Sequence, residues 1–245
     1  MTTYVLVHGA WHGGWSWDPV ADLLRAGGHE VHAPTLTGLA ERFDPARPET
    51  GLATHVDDVV STLDSADLRD VVLVGHSYAG MVVTAAAARA PERLRRLVVL
   101  DGFLPEAGEK AIDLLPPHAA AHYRESASNR GNGVSIPPRP LANLGVTDQA
   151  AADAIAPRLT PHPLRTYLDA AAHSTSALTV PGTYLLCSGW NSPFGAFAER
   201  AASWGWIVDR VEGDHEVLLT NPPLVVGKLT SERLVPRTGL EEVMG

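Results

Sequence analysis

The sequence predicts an α/β protein in which a mostly parallel central sheet is flanked by helices. Short apolar segments rich in β-branched residues alternate with segments of helical length along most of the 245 residues. Such alternation implies right-handed crossovers and a parallel sheet that is covered on both faces. The length suits one domain over residues 1–245 with a large buried core.

Four strands and three helices are predicted in the first part of the chain. Asp18 and Pro19 mark the first turn of the first helix, and the pair Gly27-Gly28 marks its end. A loop that contains proline and glycine separates the second strand from the second helix. The expected strands are residues 4–7, 30–33, 71–74 and 96–100, and the expected helices are residues 16–26, 54–65 and 81–90.

The alternation breaks between Pro105 and about Val180. This stretch holds many prolines and several short Ala-rich helical segments. An insertion of this length in a sheet protein more often covers a functional site than forms plain loop. We therefore expect residues 105–180 to form a small helical cap inserted over the edge of the sheet. The pattern then resumes with a strand at 182–187, a helix at 194–203, a strand at 206–211 and a last helix opened by Asn221-Pro222-Pro223, whereas the tail after Pro236 carries no strong signal.

Composition and charge exclude several classes of partner. The formal net charge is −9 and no run of Lys and Arg is present, which argues against nucleic-acid binding. Cys187 is the only cysteine, so an intrachain disulfide is impossible and a reducing compartment is the simplest location. Residues 1–3 lead directly into the first strand without a signal-peptide pattern, and no apolar run reaches the ~18 residues of a membrane span. We expect a cytoplasmic protein without a membrane partner.

The strongest functional signal is the segment DVVLVGHSYAGM at residues 70–81. It is typical of a strand, a sharp turn and a helix, an arrangement that exposes the Oγ of Ser77 at the end of a sheet. Only small residues fit two positions before and two positions after such a serine. Gly75 and Ala79 satisfy this requirement, although Ala79 departs from the usual G-x-S-x-G pattern. We interpret Ser77 as a nucleophile; the alternative is an N-cap of the following helix.

A serine hydroxyl needs a base within hydrogen-bond reach, and His215 is the best candidate. Of the 11 histidines, only His215 lies in the final strand-to-helix loop, where the order Ser, acid, His places the base. His76 adjoins the serine, but we expect its side chain to point away. No cluster of Asp, Glu or Cys accompanies His8 and His12, so we expect both to pack loops and predict neither a metal nor a cofactor.

A reacting carbonyl also requires donors for the oxygen that becomes negative. In this kind of site they are the backbone N–H of the residue after the nucleophile, here Tyr78, and one N–H from the glycine-containing loop after the first strand, here Ala10. Loss of one such donor costs a factor on the order of 100 to 1,000 in rate. We predict that these two main-chain groups form the oxyanion hole.

Three motifs together resemble the α/β-hydrolase fold: VLVHGAWHGGWSW at residues 5–17, VGHSYAGM at 74–81, and Asp214-His215. Within that fold they are similar to the branch that contains plant methyl esterases, the salicylate-binding methyl esterase, hydroxynitrile lyases and small bacterial relatives. The similarity covers nearly the whole chain and is weakest in the inserted segment. Lyases of this branch carry Thr and Lys where this chain has Gly9 and Glu216. The resemblance therefore favours an esterase over cyanohydrin cleavage.

The resemblance also implies an acid after the strand that ends at Cys187, yet residues 188–192 contain no carboxylate. Three alternatives follow. Asp101 ends the strand after the nucleophile helix, on the same sheet edge, and could reach His215; otherwise it would cap the following loop. Asn191 could orient the imidazole without charge, as Asn does beside Cys-His pairs. Lastly, no group orients it, and the serine and histidine serve chemistry other than ordinary hydrolysis. We favour Asp101.

The substrate is predicted less directly. Aromatic residues occur in four segments that converge on one sheet edge: Trp11, Tyr78, Phe103 and Trp190. Because pockets are mostly apolar with a few placed polar groups, we group Trp11, Phe103, Trp190 and the neighbouring Asn191 as substrate-binding residues. The same rings would equally serve to pack loops together.

Three function classes remain. The first is a serine esterase that forms an acyl-enzyme on Ser77 with a small apolar or aromatic ester, using His215 as base and Asp101 as its orienting acid. The second is a non-hydrolytic enzyme on the same scaffold, such as a cyclase, lyase or transacylase, which uses the serine and histidine without the usual acid. The third is a ligand-binding pseudoenzyme. In each case the expected partner is a small molecule, and a homodimer is left open.

Overall fold

A parallel sheet of six strands forms the centre of the molecule. The computed structural model of the chain describes residues 1–44 and 49–234. Within them the strands are β1 (Thr3–Val7), β2 (Glu30–His32), β3 (Val71–His76), β4 (Leu94–Leu100), β5 (Ser135–Ile136), β6 (His162–Pro163), β7 (Gly182–Cys187) and β8 (Ile207–Val211). The sheet order is β2-β1-β3-β4-β7-β8, and every neighbouring pair is parallel. The predicted α/β architecture is therefore confirmed.

Helices connect the strands at close to the predicted positions. In the described residues they are α1 (Asp18–Ala26), α2 (Leu52–Ser65), α3 (Ala79–Arg89), α4 (Ala111–Leu114), α5 (Pro117–Arg130), α6 (Gln149–Ile155), α7 (Arg165–Leu168), α8 (Gly195–Ser203), α9 (Val217–Thr220) and α10 (Pro222–Leu229). The first begins two residues later than predicted because a short 3-10 turn precedes it. The predicted tail after Pro236 lies outside the described residues.

Alternate residues of each strand supply two apolar cores, one on each face of the sheet. In β1, Val5 and Val7 pack into the core that includes α2 and α3, whereas Tyr4 and Leu6 pack into the core that includes α1 and α10. Successive side chains of a strand point to opposite faces, so a strand buried on both faces must be apolar throughout. Because the strands are packed on both faces, their carboxyl ends, from which the loops of the site begin, are held in fixed positions.

Residues 105–180 connect β4 to β7 and contain α4 to α7. They also contain a ribbon in which β5 and β6 pair antiparallel. The sequence predicted short helices here but not the ribbon, since each of its strands has only two residues. The segment contacts the loop after β1: the Trp11 Nε1–H donates to the Ile136 carbonyl (3.0 Å), and the Thr160 N–H donates to the Trp11 carbonyl (2.9 Å).

The described parts of the chain contain neither a membrane-spanning helix nor a cluster of metal-ligating side chains. No helix there combines the length and the apolar character needed to cross a bilayer. Nor do three or more His, Cys, Asp or Glu side chains of those residues come together in a way that could hold a metal ion. The single thiol, Cys187, is buried at the end of β7.

Candidate active site

The turn between β3 and α3 presents Ser77 at the carboxyl edge of the sheet. Ser77 has a φ of 56°, in the left-handed region that such a nucleophile turn imposes on a serine. Its N–H donates to the Leu100 carbonyl (3.0 Å), and its own carbonyl accepts from the Phe103 N–H (3.2 Å). A Cβ at Gly75 would lie 2.6 Å from a Val83 methyl group, which explains the small residue there. The turn is thus held by β4 and by the loop that follows it.

His215 lies between β8 and α9, with its imidazole facing Ser77. The His215 Nε2 is 2.9 Å from the Ser77 Oγ, although the two residues are 138 apart in the sequence. Two bonds to the main chain hold His215: its N–H donates to the Leu144 carbonyl (3.0 Å), and its carbonyl accepts from His76 Nε2–H (2.8 Å). The His76 side chain therefore contacts the backbone of His215.

The Asp101 carboxylate accepts four hydrogen bonds. Its Oδ2 receives the His215 Nδ1–H (2.7 Å) and the Trp190 Nε1–H (3.0 Å). Its Oδ1 receives the Ser192 hydroxyl (2.9 Å) and the Cys187 N–H (3.2 Å). A fully buried carboxylate requires such donors to remain charged. Donation from Nδ1 selects the His215 tautomer whose Nε2 can accept a proton from Ser77.

Of the three alternatives for orienting His215, the structure brings Asp101 to the ring. Asn191 is exposed, and its side chain makes no hydrogen bond to another residue that the structure describes. The loop after β7 supplies donors to Asp101 instead of a carboxylate, through Trp190 and Ser192. Sequence reasoning grouped Trp190 with the substrate and missed Ser192. The available signal was an indole and a hydroxyl in a loop that lacks the expected acid.

The loop after β1 runs beside Ser77. A Cβ at Gly9 would lie 3.0 Å from the Ser77 Cβ, so a side chain there would press on the nucleophile. Trp11 has a φ of 67°, which turns the loop sharply after Ala10. Among the described residues, the N–H groups of Ala10 and Tyr78 have no acceptor. Free main-chain donors beside a serine have the chemistry needed to bind a developing oxyanion.

The Tyr78 side chain is buried and lies away from the His215 ring. Because the His55 Nε2–H donates to the Thr37 carbonyl (2.8 Å), His55 Nδ1 is the acceptor of the Tyr78 hydroxyl (3.0 Å). The ring stacks on Tyr167. Position 78 can therefore serve the site only through its main chain.

Aromatic rings surround His215. The Phe194 ring stacks on the imidazole at 5.5 Å between centroids, and the Trp190 ring lies 4.9 Å away. Phe103 is buried against Phe194 (5.3 Å). In the loop after β1, Trp11 packs edge-on to Tyr123 in α5. The Ser77 and His215 pair therefore lies in a largely apolar environment.

Four other histidines are fully or almost fully buried and neutral. Burial lowers the pKa of His8 to about 3 and that of His55 to about 4. Burial also lowers the pKa of His76 and of His162 well below the usual range. These side chains act as hydrogen-bonding groups rather than as bases at neutral pH.

His12 differs from these four because it pairs with Glu216. Its Nε2 lies 3.2 Å from a Glu216 carboxylate oxygen, and its Nδ1 lies 2.7 Å from the Ala10 carbonyl oxygen. Burial lowers the pKa of His12, but the Glu216 carboxylate outweighs this effect and raises it. Burial likewise raises the pKa of Glu216, but the His12 charge outweighs it and brings that pKa to about 2. The pair is ionised inside the protein.

Comparison with known proteins places this fold and site in a family. Residues 4–228 match the model of the alpha/beta hydrolase family, and the chain belongs to that family. It is 36% identical over 243 residues to the carbendazim hydrolyzing esterase of Nocardioides sp., covering 94% of this chain and 99% of that protein.

Two further relatives lie in the branch that the motifs indicated. The alpha-hydroxynitrile lyase of Arabidopsis thaliana is 35% identical over 134 residues, but this covers only 53% of this chain and 48% of the lyase. A solved extracellular alpha/beta-hydrolase from a Paenibacillus species, described as sharing structural and functional homology with tobacco salicylic acid-binding protein 2, superposes with a TM-score of 0.83. It is 25% identical, and the match covers 92% of this chain and 96% of that one. The resemblance inferred from the motifs is confirmed.

Proposed function

We propose that this chain is a serine esterase that hydrolyses a small apolar or aromatic carboxylic ester through an acyl-enzyme on Ser77. The observation that carries the proposal is the continuous line of hydrogen bonds from Ser77 Oγ through His215 to Asp101, at 2.9 and 2.7 Å. This is the arrangement in which an imidazole accepts a serine proton while a carboxylate stabilises the imidazolium. The esterase relative matched over nearly its whole length supports the same reaction.

The geometry suggests a role for each group. Ser77 Oγ attacks the ester carbonyl carbon while its proton passes to His215 Nε2, and the carbonyl oxygen becomes negative. The N–H groups of Ala10 and Tyr78 bind that oxygen. The protonated His215 then gives its proton to the leaving alcohol, and water repeats the sequence to release the acid and restore Ser77.

The surroundings favour a small substrate. The segment 105–180 contacts both loops of the site: its Ile136 carbonyl accepts from the Trp11 Nε1–H, and its Leu144 carbonyl accepts from the His215 N–H. We therefore propose that this segment is a cap over the site, within one domain. The aromatic rings near His215 suit an apolar or aromatic group. Phe103 and Trp11 are 1% and 4% exposed, so of the predicted substrate-binding residues the partly exposed Trp190, which lies beside the His215 ring, is best placed for direct contact.

Hydrolysis is favoured over the non-hydrolytic alternative and over a pseudoenzyme. The non-hydrolytic alternative rested on the loss of the usual acid, but a carboxylate lies beside His215. The lyase relative is matched over less than half of its length, whereas the esterase relative is matched over 99%. A binding protein would have no need of the proton path that the three side chains form.

Reaction with p-nitrophenyl acetate tests the proposal. The chain should release a burst of about one p-nitrophenolate per active site followed by steady turnover, as an acyl-enzyme predicts. Ser77→Ala should abolish both phases, whereas Ser188→Ala, in the loop after β7, should retain them. A fluorophosphonate probe should label Ser77, as read by mass spectrometry of peptides. Turnover that survives in Ser77→Ala would refute the mechanism, and an acid product free of label in H₂¹⁸O would refute hydrolysis.

We also propose a cytoplasmic location and leave a homodimer as an expectation. The location is supported by the single buried cysteine, which needs no oxidising compartment. Fractionation of the producing cell tests the location. Native mass spectrometry tests the dimer, since a single species at 26.0 kDa would exclude it.

A further inference from the structure

A buried ion pair joins the loop of Ala10 to the loop of His215. His12 follows Ala10 by two residues, and Glu216 comes directly after His215. Their charged atoms lie 3.2 Å apart, and the two side chains are only 3% and 1% exposed. Among the ion pairs of the described residues, only the Asp101 and His215 pair is buried to the same degree.

The His12 ring makes one hydrogen bond and one ion pair. Nδ1 faces the Ala10 carbonyl at 2.7 Å, and Nε2 faces the Glu216 carboxylate. The contact of Nε2 with the carboxylate is an ion pair without hydrogen-bond geometry, since neither atom has a hydrogen-bond partner among the described residues. A buried carboxylate in this contact favours the charged imidazolium form of the ring. The ring therefore links the Ala10 carbonyl to the residue after His215 through one rigid, charged group.

The Ala10 carbonyl belongs to the peptide that precedes Trp11, whose φ of 67° is unfavourable for a residue with a side chain. Residues 105–180 hold the far side of this turn through Ile136 and Thr160. His12 holds the same turn through its hydrogen bond to the Ala10 carbonyl. An uncompensated charge in this place would be costly, so each member of the pair depends on the other.

We propose that His12 and Glu216 are positioning residues that fix the Ala10 N–H relative to Ser77 and His215. The inference rests on the proposed function, because it assigns Ala10 as an oxyanion donor. Neither residue touches the substrate in this account. Both act through the main chain of Ala10, and their effect should appear where negative charge develops on the substrate oxygen.

The charges near the pair are compatible with this role. His8, His76 and His162 are neutral at pH 7, so no cation besides His215 in its protonated form competes for Glu216 from that side. Arg158 lies over the Trp15 ring at 4.0 Å, and that ring lies against His12. Asp214 also faces the pair: burial and, to a lesser degree, the Glu216 charge raise its pKa. Among the described residues, His12 is thus the cation that forms an ion pair with Glu216.

Three substitutions separate positioning from mere stability. Glu216→Leu removes the link at similar volume, and kcat should fall ~10- to 100-fold, the scale of a small misplacement of a catalytic group. KM should change less than about threefold, because uniform binding is untouched. Glu216→Gln keeps a polar contact to a neutral His12 that still donates to Ala10, so it should keep most of kcat. Asp209→Asn breaks an ion pair with Lys228, remote from the site, and should leave kcat unchanged.

Two readouts belong to positioning alone. The affinity for a trifluoromethyl ketone, whose oxygen becomes anionic when Ser77 adds to it, should weaken in Glu216→Leu in parallel with kcat/KM. In the wild type, kcat should fall at alkaline pH as His12 loses the proton that its raised pKa retains, because the one remaining N–H then faces the Glu216 carboxylate and the Ala10 carbonyl loses its donor. Glu216→Gln should lack that decline, because its neutral His12 keeps the N–H on Nδ1, toward Ala10.

Each outcome decides the inference. If Glu216→Leu folds and keeps wild-type kcat and ketone affinity, the inference is wrong. If that variant does not fold, Glu216→Gln decides, and an alkaline decline identical to the wild type overturns the inference. Ser77→Ala is assayed with these variants. Activity that survives in Ser77→Ala would contradict the proposed function itself. Activity that is lost in Ser77→Ala but unchanged in Glu216→Leu would contradict only the positioning role.

Discussion

The Nδ1 of His215 lies 2.7 Å from Oδ2 of Asp101, and this carboxylate comes from the end of β4. The next strand of the sheet, β7, ends in a loop that has no acid and instead donates Trp190 Nε1–H and Ser192 Oγ–H to Asp101. The loop that would be expected to carry the acid has become its support.

Asp101→Asn should lower kcat by about four orders of magnitude, the scale measured for the corresponding change in a serine protease. The amide either donates to His215 Nδ1 or leaves it unpaired, and both disfavour the productive tautomer. Hydrolysis of p-nitrophenyl acetate at pH 7 measures the loss. Asn191→Ala is the matched control and should stay within about twofold, since Asn191 lies in the exposed loop. Comparable losses in the two variants would contradict the assignment.

Ser192→Ala should lower kcat by up to about tenfold and lower stability by about 1.5 kcal/mol or more, because a hydrogen bond to a charged group is lost. Asp101 Oδ1 would keep the Cys187 N–H, so the effect stays well below that of Asp101→Asn. Steady-state kinetics and urea unfolding measure the two changes. The neighbouring Ser188→Ala controls for loss of a hydroxyl in the same loop. Unchanged kinetics in Ser192→Ala would mean that the remaining donors suffice.

Tyr78→Phe should reduce stability by ~1–3 kcal/mol, because His55 Nδ1 would be left buried without a donor. The kcat/KM should remain within about twofold, since the proposed oxyanion donor is the main-chain N–H. Thermal unfolding and esterase assays on the same sample test both parts. A collapse of kcat with an intact fold would show that the hydroxyl takes part in the reaction.

Stability should fall steeply as the pH drops below about 6.5. His8, His55, His76 and His162 have lowered pKa values in the folded state, so the unfolded chain binds more protons between those values and 6.5. Each such proton contributes about 1.4 kcal/mol per pH unit.

The other buried pair does not offset this trend. The stabilisation that His12 gains from its raised pKa is fully present below 6.5, and that of Glu216, with a pKa of about 2, is lost only below 4.5. Urea unfolding at pH 7, 6 and 5 measures the slope. His55→Gln should reduce it by up to about one proton, whereas the exposed His118→Gln should not. A flat profile would contradict the neutral state of the four rings.

The sheet was predictable because its signals are local. Residues 182–187 were assigned to a strand with the bounds that the structure has, since a mostly apolar segment of six residues between Pro181 and the pair Ser188-Gly189 has few alternatives. The β5 and β6 ribbon was not predictable, because two-residue strands have no periodicity to read and depend on a partner far along the chain.

The proposed catalytic residues could be predicted from the sequence, whereas the residues that hold them in place could not. Ser77 and His215 follow from a turn motif and a loop position, and Asp101 was one of three alternatives until the fold brought it to the ring. The Glu216 and His12 contact joins opposite ends of the chain and has no local signature. The same holds for Ser192, whose hydroxyl gains meaning only beside a carboxylate from another strand.

The spacing of the strands explains how the acid of such a site can come from either of two neighbouring strands. Neighbouring strands lie about 4.8 Å apart, so an Asp rooted on β4 and one rooted on β7 can reach nearly the same point. A sequence survey that requires a carboxylate after β7 would therefore classify chains like this one as inactive. Chains classified in this way should be examined for an acid at the end of the neighbouring strand and for hydrogen-bond donors in the loop that lacks the acid.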